Sequence, residues 1–234
     1  MADSIHAIAP SVKHTHTIVF LHGRGGTGPE FESELFESQD SGDRFFTDIF
    51  PGVKWVFPST ATSYAETEQE DMHQWFDMAS VQRPNERPEI QKPGLSKSVH
   101  YLLSIVEMEA RTVPLNHIVL AGISQGCATA IFALLCCGVQ LGGFVGLSGW
   151  LPFLGQLRAG AHLQYGVLET PILLQHCRDD SVVPVENGMA LADALRDMGL
   201  PVEAMYFDDG GHWLNEPAGM DGIVRFLTGI MSRA

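Results

Sequence analysis

Apolar positions along this chain follow two rhythms. Short runs that are apolar at nearly every position alternate with longer stretches where apolar residues recur every three or four places. The short runs HTIVFLHG, KWVFPST, LNHIVLAGIS, GGFVGLSGW, PILLQHC and VEAMYFDD predict strands, apolar enough to be buried on both faces. Between them, LSKSVHYLLSIVEMEAR carries helical spacing, and QGCATAIFALLCC predicts an almost wholly apolar helix ended by Gly138. VENGMALADALRDMG predicts an amphipathic helix stopped at Gly199, and a last helix runs from about Gly222 to the end. Strand and helix alternating throughout predicts an α/β fold, with a mostly parallel central sheet flanked by helices on both faces. Segment 61–94 breaks the rhythm with an acidic stretch around Glu66 to Asp71 and with Pro84, Pro88 and Pro93. It reads as a long loop or lid over one end of the sheet, its acids a solvated face. Residues 1–234 read as one domain.

Charge narrows the function. The formal net charge is -14, which argues against nucleic acid, whose binding needs lysine and arginine on phosphates. It argues equally against electrostatic attachment to anionic membranes. No apolar stretch approaches the length of a membrane span, so no stable membrane anchor is expected. The N-terminal MADSIHAIAPSVK lacks a basic region followed by an apolar one, and no N-x-S/T sequon occurs. Cys127, Cys136, Cys137 and Cys177 form no C-x-x-C pair and read as buried free thiols. The chain reads as cytoplasmic.

Two glycine-rich segments carry candidate chemistry. The first, LHGRGGTG at 21–28, places Gly23, Gly25 and Gly28 in the G-x-G-x-x-G pattern of a dinucleotide-binding turn. That reading needs an acid at the end of the next strand for the ribose hydroxyls, and the next strand ends VFPST. The second is AGISQG at 121–126, a G-x-S-x-G between a buried strand and an apolar helix, the setting of a nucleophile elbow at Ser124. A serine hydroxyl needs a histidine to take its proton and an acid to orient that histidine. In the chain order Ser, Asp, His, the acid is Asp180 or its neighbour Asp179, and the base is His212 of DDGGHW. His162 falls in a stretch of weak pattern, and His176 ends the strand before the acid loop and fixes that loop by hydrogen bonds. An oxyanion hole would then combine the Gln125 N–H with an N–H from HGRGG, so the bare backbone of the first segment faces an oxyanion instead of a pyrophosphate.

With these residues in place, the sequence resembles the acyl-protein thioesterase, or phospholipase/carboxylesterase, family of α/β-hydrolases. The resemblance spans nearly the whole chain through FLHGRGGTG, FPST, WFD at 75–77, GISQGCA, LSGWLP at 147–152, PILLQHCRDDSVVP and GGHW, in that order. It implies an α/β-hydrolase fold, Ser124 as nucleophile, Asp180 in preference to Asp179 as the acid, and His212 as base. It implies Arg24 and Gln125 as oxyanion donors, His22 as a brace of the loop, and no metal or organic cofactor. The implied substrate is a small acyl ester or an acylated protein, with oligomeric state left open. Trp75, Phe76 and Met72 either line an acyl groove or pin the lid to the core, and the resemblance favours the groove. Trp213 joins Trp75 and Phe76 as a candidate substrate-binding residue.

Three positions depart from the family pattern. Arg24 stands where leucine is common, Cys177 where glycine is usual, and Trp213 puts a large ring directly after the histidine. A guanidinium facing the acyl site would favour shorter chains or an anionic substrate group; otherwise it turns to solvent or pairs with an acid such as Glu30. The rival readings are a general carboxylesterase for small soluble esters and a hydrolase-fold binding protein with a silent triad. His14 and His16, two apart, lack a third ligand and read as a solvated strand start.

Overall fold

Residues 4–160 and 163–232 are described in the computed structural model. In order they form β1 (Ser4–Ile8), β2 (His16–Leu21), α1 (Gly28–Leu35), α2 (Phe46–Ile49), β3 (Val53–Ser59), β4 (Thr62–Ala65), β5 (Glu70–His73) and α3 (Pro88–Glu109). There follow β6 (Ile118–Ile123), α4 (Gln125–Cys137), β7 (Gly143–Leu147), α5 (Leu154–Gly160), α6 (Tyr165–Leu168), β8 (Ile172–Cys177), α7 (Val185–Asp197), β9 (Val202–Phe207) and α8 (Ala218–Met231). The central sheet has the order β1-β3-β2-β6-β7-β8-β9. All its pairings are parallel except β1 with β3.

The period of two along each strand divides the core into two layers. Val19, Leu21, Ile118, Leu120, Phe144, Ile172 and Leu174 point to one face, where Leu102 of α3, Ile131 of α4 and Leu195 of α7 cover them. Ile18, Phe20, Val119, Ala121, Val145 and Leu173 point to the other, under Phe31 of α1 and Ile223 and Leu227 of α8. Alternate side chains thus enter opposite cores, and both are apolar because parallel strands are covered on both sides. The last strand departs from this expectation. Most of β9 is only partly buried, because it lies at the sheet edge.

Segment 61–94 is also more ordered than its composition predicts. Residues 62–73 pair as an antiparallel hairpin, Thr62 opposite His73 and Ala65 opposite Glu70. The helix expected from residue 95 starts at Pro88 and includes Pro93. Pro88, at the first helical position, sacrifices an N–H that has no helical partner anyway, whereas Pro93 lies inside the helix. Likewise, the last helix begins at Ala218, ahead of the Gly222 expected from its pattern. No helix among the described residues is long and apolar enough to cross a membrane. The four cysteines are free; Cys127 and Cys177 are buried, whereas Cys136 is exposed on the last turn of α4 and corrects the expectation of burial.

Register decides which loops meet. Leu21 pairs with Gly122, so the loops after β2 and β6 leave the sheet side by side. Cys177 pairs with Phe207, which does the same for the loops after β8 and β9. All four emerge at the carboxyl ends of parallel strands, the end at which open α/β sheets build their ligand sites.

Candidate active site

The turn from β6 into α4 is as sharp as its glycines allow. Ser124 has φ 56° and ψ −123°, and its N–H donates to the Leu147 carbonyl of β7 at 2.9 Å. A Cβ on Gly122 would lie 2.4 Å from the Gly126 carbonyl carbon, and one on Gly126 would lie 2.4 Å from the His22 oxygen. The two glycines therefore let the turn close on itself and press against the loop after β2. A side chain held at positive φ costs of order 1–3 kcal/mol and persists only where the surroundings impose it. Here the Leu147 bond and the two close approaches impose it, and Ser124 faces an open cleft of about 540 Å³.

The acid and histidine loops converge on the same cleft. The His212 Nδ1–H donates to Asp180 Oδ2 at 2.7 Å, while Asp180 Oδ1 accepts from the N–H groups of Val182 and Val183, each at 2.9 Å. His176 Nε2–H donates to the Val183 carbonyl at 2.8 Å and lies 3.2 Å from Asp180 Oδ2, which bears out its loop-fixing role. Burial of the Asp180 side chain opposes its ionised form. Hydrogen bonds from His176, His212 and the Val183 N–H outweigh that cost and hold the carboxyl well below the usual carboxylate range. With an ionised carboxylate on Nδ1, His212 carries its proton there and presents Nε2 as a free base. Ser124 and His212 both line the cleft.

Asp179 takes a different part. Its Oδ1 accepts from the Gly211 N–H at 2.8 Å, tying the acid loop to the histidine loop one residue before His212. Arg178, its neighbour along the chain, lies 3.6 Å from Asp208 and over the Tyr206 ring. Gly210 and Gly211 both have positive φ, 121° and 64°, so the loop can turn His212 back over the sheet. Beneath it, the buried Cys177 thiol is pushed up to about 11, first by burial and then by Asp179, Asp180 and Asp209. It is a packing group at neutral pH, not a thiolate.

The loop after β2 is held from several sides. His22 Nδ1–H donates to the Gly23 carbonyl at 2.6 Å, and burial lowers this imidazole to about 4, so it is neutral. Among the described residues, neither the Arg24 N–H nor the Gln125 N–H makes a hydrogen bond. The Gln125 side chain is fully engaged, its Oε1 accepting from the Trp75 N–H at 2.8 Å and its Nε2 donating to the Phe76 carbonyl at 2.7 Å.

Several expectations change here. Trp75 and Phe76 are each 1% exposed and do not line the cleft. The Trp75 indole N–H donates to the His22 carbonyl at 2.9 Å, so this pair braces the Ser124 and Arg24 loops from behind instead of binding substrate. The cleft's apolar walls are Phe31, Met72, Val81, Ile123, Val182 and Trp213, and Trp213 meets the edge of Phe31 at 5.8 Å. Of the aromatic candidates, only Trp213 reaches the cleft. The Arg24 guanidinium pairs neither with solvent nor with Glu30; Glu68 takes it in a fork, and Glu30 instead caps α1 through the Thr27 N–H and hydroxyl. Glu68 also shows that the acidic run is not wholly a solvated face. His162 lies outside the described residues.

Comparison with known proteins agrees with this architecture. Residues 3–230 match the phospholipase/carboxylesterase family model. An acyl-protein thioesterase 1 from Schizosaccharomyces pombe is 32% identical over 76% of this chain and 74% of its own. A rice protein named as a probable inactive carboxylesterase is 30% identical over 93% of this chain and 85% of its own. Among solved structures, acyl-protein thioesterase 2 from Zea mays superposes with a TM-score of 0.80 at 25% identity, covering 97% of this chain and 99% of that one. The chain thus belongs to the phospholipase/carboxylesterase family of α/β-hydrolases and is a serine hydrolase of esters or thioesters.

Proposed function

We propose that Ser124, His212 and Asp180 carry the reaction through an acyl-enzyme on Ser124, with the N–H groups of Gln125 and Arg24 as the oxyanion hole. His212 Nε2 takes the hydroxyl proton as Ser124 Oγ attacks the acyl carbonyl, and Asp180 stabilises the imidazolium that results. The negative charge on the carbonyl oxygen meets two donors that have no other partner among the described residues, so they need no rearrangement when it forms. Collapse of this intermediate breaks the bond to the alcohol or thiol, which leaves with the proton from His212. Water then repeats the sequence, His212 takes its proton, and the free acid departs from Ser124. The observation that carries the reading is the 2.7 Å Asp180–His212 pair beside a serine at positive φ in one cleft.

Acyl esters or acylated proteins are the proposed substrates, since the cleft offers six apolar side chains to an acyl chain. With its guanidinium neutralised by Glu68, Arg24 is not free to hold an anionic substrate group. Free cysteines suit the reducing cytoplasm as the place of action. The silent-triad reading has one relative to recommend it, the rice protein named as probably inactive, but the complete Asp180–His212 pair opposes it. Incubation with a fluorophosphonate should place one adduct on Ser124. Labelling elsewhere, or none in a protein that hydrolyses a chromogenic ester, would overturn the assignment.

A further inference from the structure

Arg24 brings a long side chain into a glycine-rich loop, and that side chain is gripped. Its guanidinium forks onto Glu68 with contacts of 2.6 and 2.7 Å, and its Nε–H donates to Gln74 Oε1 at 3.0 Å. Asp77 lies 3.9 Å away, and only 11% of the Arg24 side chain is exposed. Gln74 is buried, and its Nε2 donates onward to the Tyr64 carbonyl of β4 at 3.2 Å. One residue further along the loop, the Gly25 N–H donates to the carbonyl of His73, the last residue of β5, at 2.7 Å. The β4–β5 hairpin also supplies Met72 to the cleft wall. Backbone and side chain together stitch the loop after β2 to this hairpin.

We infer that Glu68, assisted by Gln74, is a positioning residue for hydrolysis, fixing the Arg24 N–H where the oxyanion develops. This rests on the reading of Arg24 as an oxyanion donor. The physical reason is local: a loop containing Gly23, Gly25 and Gly26 has little stiffness of its own. A planar, charge-assisted fork held by a hairpin supplies that stiffness at the residue whose N–H is needed. An oxyanion donor acts only when it sits within a few tenths of an ångström of its place, so stiffness at this point becomes rate. The guanidinium's hydrogen bonds also hold the Glu68 carboxyl below its ordinary range, against burial, so the fork stays charged in mild acid. Without Glu68 the nearest carboxylate is Asp77 at 3.9 Å, and closing that gap draws the loop out of place. Leucine, common at this position in the family, needs no such partner, so the clasp comes with the arginine.

The test is a double-mutant cycle on a small chromogenic ester. Glu68→Ala should lower kcat about tenfold with KM changed less than about twofold, because the lost interaction acts in the transition state. In an Arg24→Leu background the same change should cost less than about twofold, since Glu68 acts only through the guanidinium. Glu66→Gln serves as control, because Glu66 sits on the same hairpin but pairs at 3.4 Å with the exposed Arg87. It should leave kcat unchanged. Glu68→Gln, which keeps the shape and loses the charge, carries the test if the alanine variant does not fold. Equal losses in both backgrounds, or a loss confined to melting temperature, would overturn the positioning role. A Ser124→Ala protein that keeps its activity would overturn the site reading and this inference with it. An inactive Ser124→Ala beside an unimpaired Glu68→Ala would overturn the inference alone.

Discussion

Histidines gather at both ends of the sheet, and the two groups are put to different uses. At the carboxyl ends of the strands stand His22, His176 and His212; at the opposite end stand His14, His16 and His117. The first group meets loops, a carboxylate and open space, and His212 bonds Asp180 while lining the cleft. The second group meets backbone and hydroxyls. His14 Nε2 lies 3.1 Å from the His16 carbonyl and 3.0 Å from Thr17 Oγ1, and His117 Nδ1–H donates to the Thr15 carbonyl at 2.9 Å. The His16 and His117 rings stack at 4.4 Å, and Glu109 nearby is already paired with Lys54 and Thr17. His16 is 3% exposed, so the start of this strand is buried there and not the solvated one that its sequence suggested. Residue type is the same at both ends; what differs is strand polarity. At the carboxyl ends of the parallel strands the loops after β2, β6, β8 and β9 bring His22, Ser124, Val182 and His212 to one cleft.

The contrast breaks most easily at the nucleophile. Ser124→Ala and His212→Ala should each lower kcat by about 10⁴ or more, and together hardly more than either alone, because they act as a unit. Asp180→Asn should cost about 10⁴ by forcing the wrong imidazole tautomer, with the fold intact. Asp179→Asn should stay close to wild type, since an amide oxygen can still accept the Gly211 N–H. Steady-state kinetics on one ester decides all four, and a reversal between the two aspartates would move the acid to Asp179.

At the other end of the sheet the expected effect is on stability alone. Lys54→Met removes the cationic partner of Glu109, whose side chain is 1% exposed, and leaves it only the Thr17 hydroxyl. Stranding that carboxylate should cost about 3–5 kcal/mol in denaturant unfolding while kcat/KM is unchanged. A loss of turnover in the folded variant would mean that the two ends are coupled.

A smaller effect sharpens the same distinction through pH. Burial lowers both His16 and His22 to about 4 from 6.5, His117 and His14 adding to the shift at His16. Between those values the unfolded chain binds more protons than the folded one, so stability rises with pH across the window. Melting temperature should therefore fall as pH drops from about 6.5 towards 4. His16→Gln should flatten that slope without altering kcat at neutral pH. An unchanged slope would show that His16 is not among the groups responsible.

Much of this was legible in the chain itself. The period of two in the strands and the glycines at 122 and 126 follow from elementary sterics, so the sheet, the elbow and the helix behind it were readable. So was the order of Ser124, Asp180 and His212, because each follows the carboxyl end of an apolar strand. Composition misled where a contact partner decides the outcome. Trp75 and Phe76 look like groove residues until Gln125, about fifty positions away, holds their backbone in the core. Proline content marked 61–94 as loop, yet a hairpin and the first turns of α3 lie there; Pro88 opens the helix at a position that costs little, and Pro93 is carried inside it.

What the sequence determined by itself was which side chains are able to do the chemistry and on which kind of turn they sit, because both depend on neighbours along the chain. What the tertiary structure decided was partnership: it seats Asp180 against His212, as the family resemblance implied where spacing left Asp179 open, and it sets Glu68 and not Glu30 against Arg24. Those choices turn on distances between segments 32 and 44 residues apart. Only the register of β8 on β9, and the packing of the hairpin on the loop after β2, sets such distances.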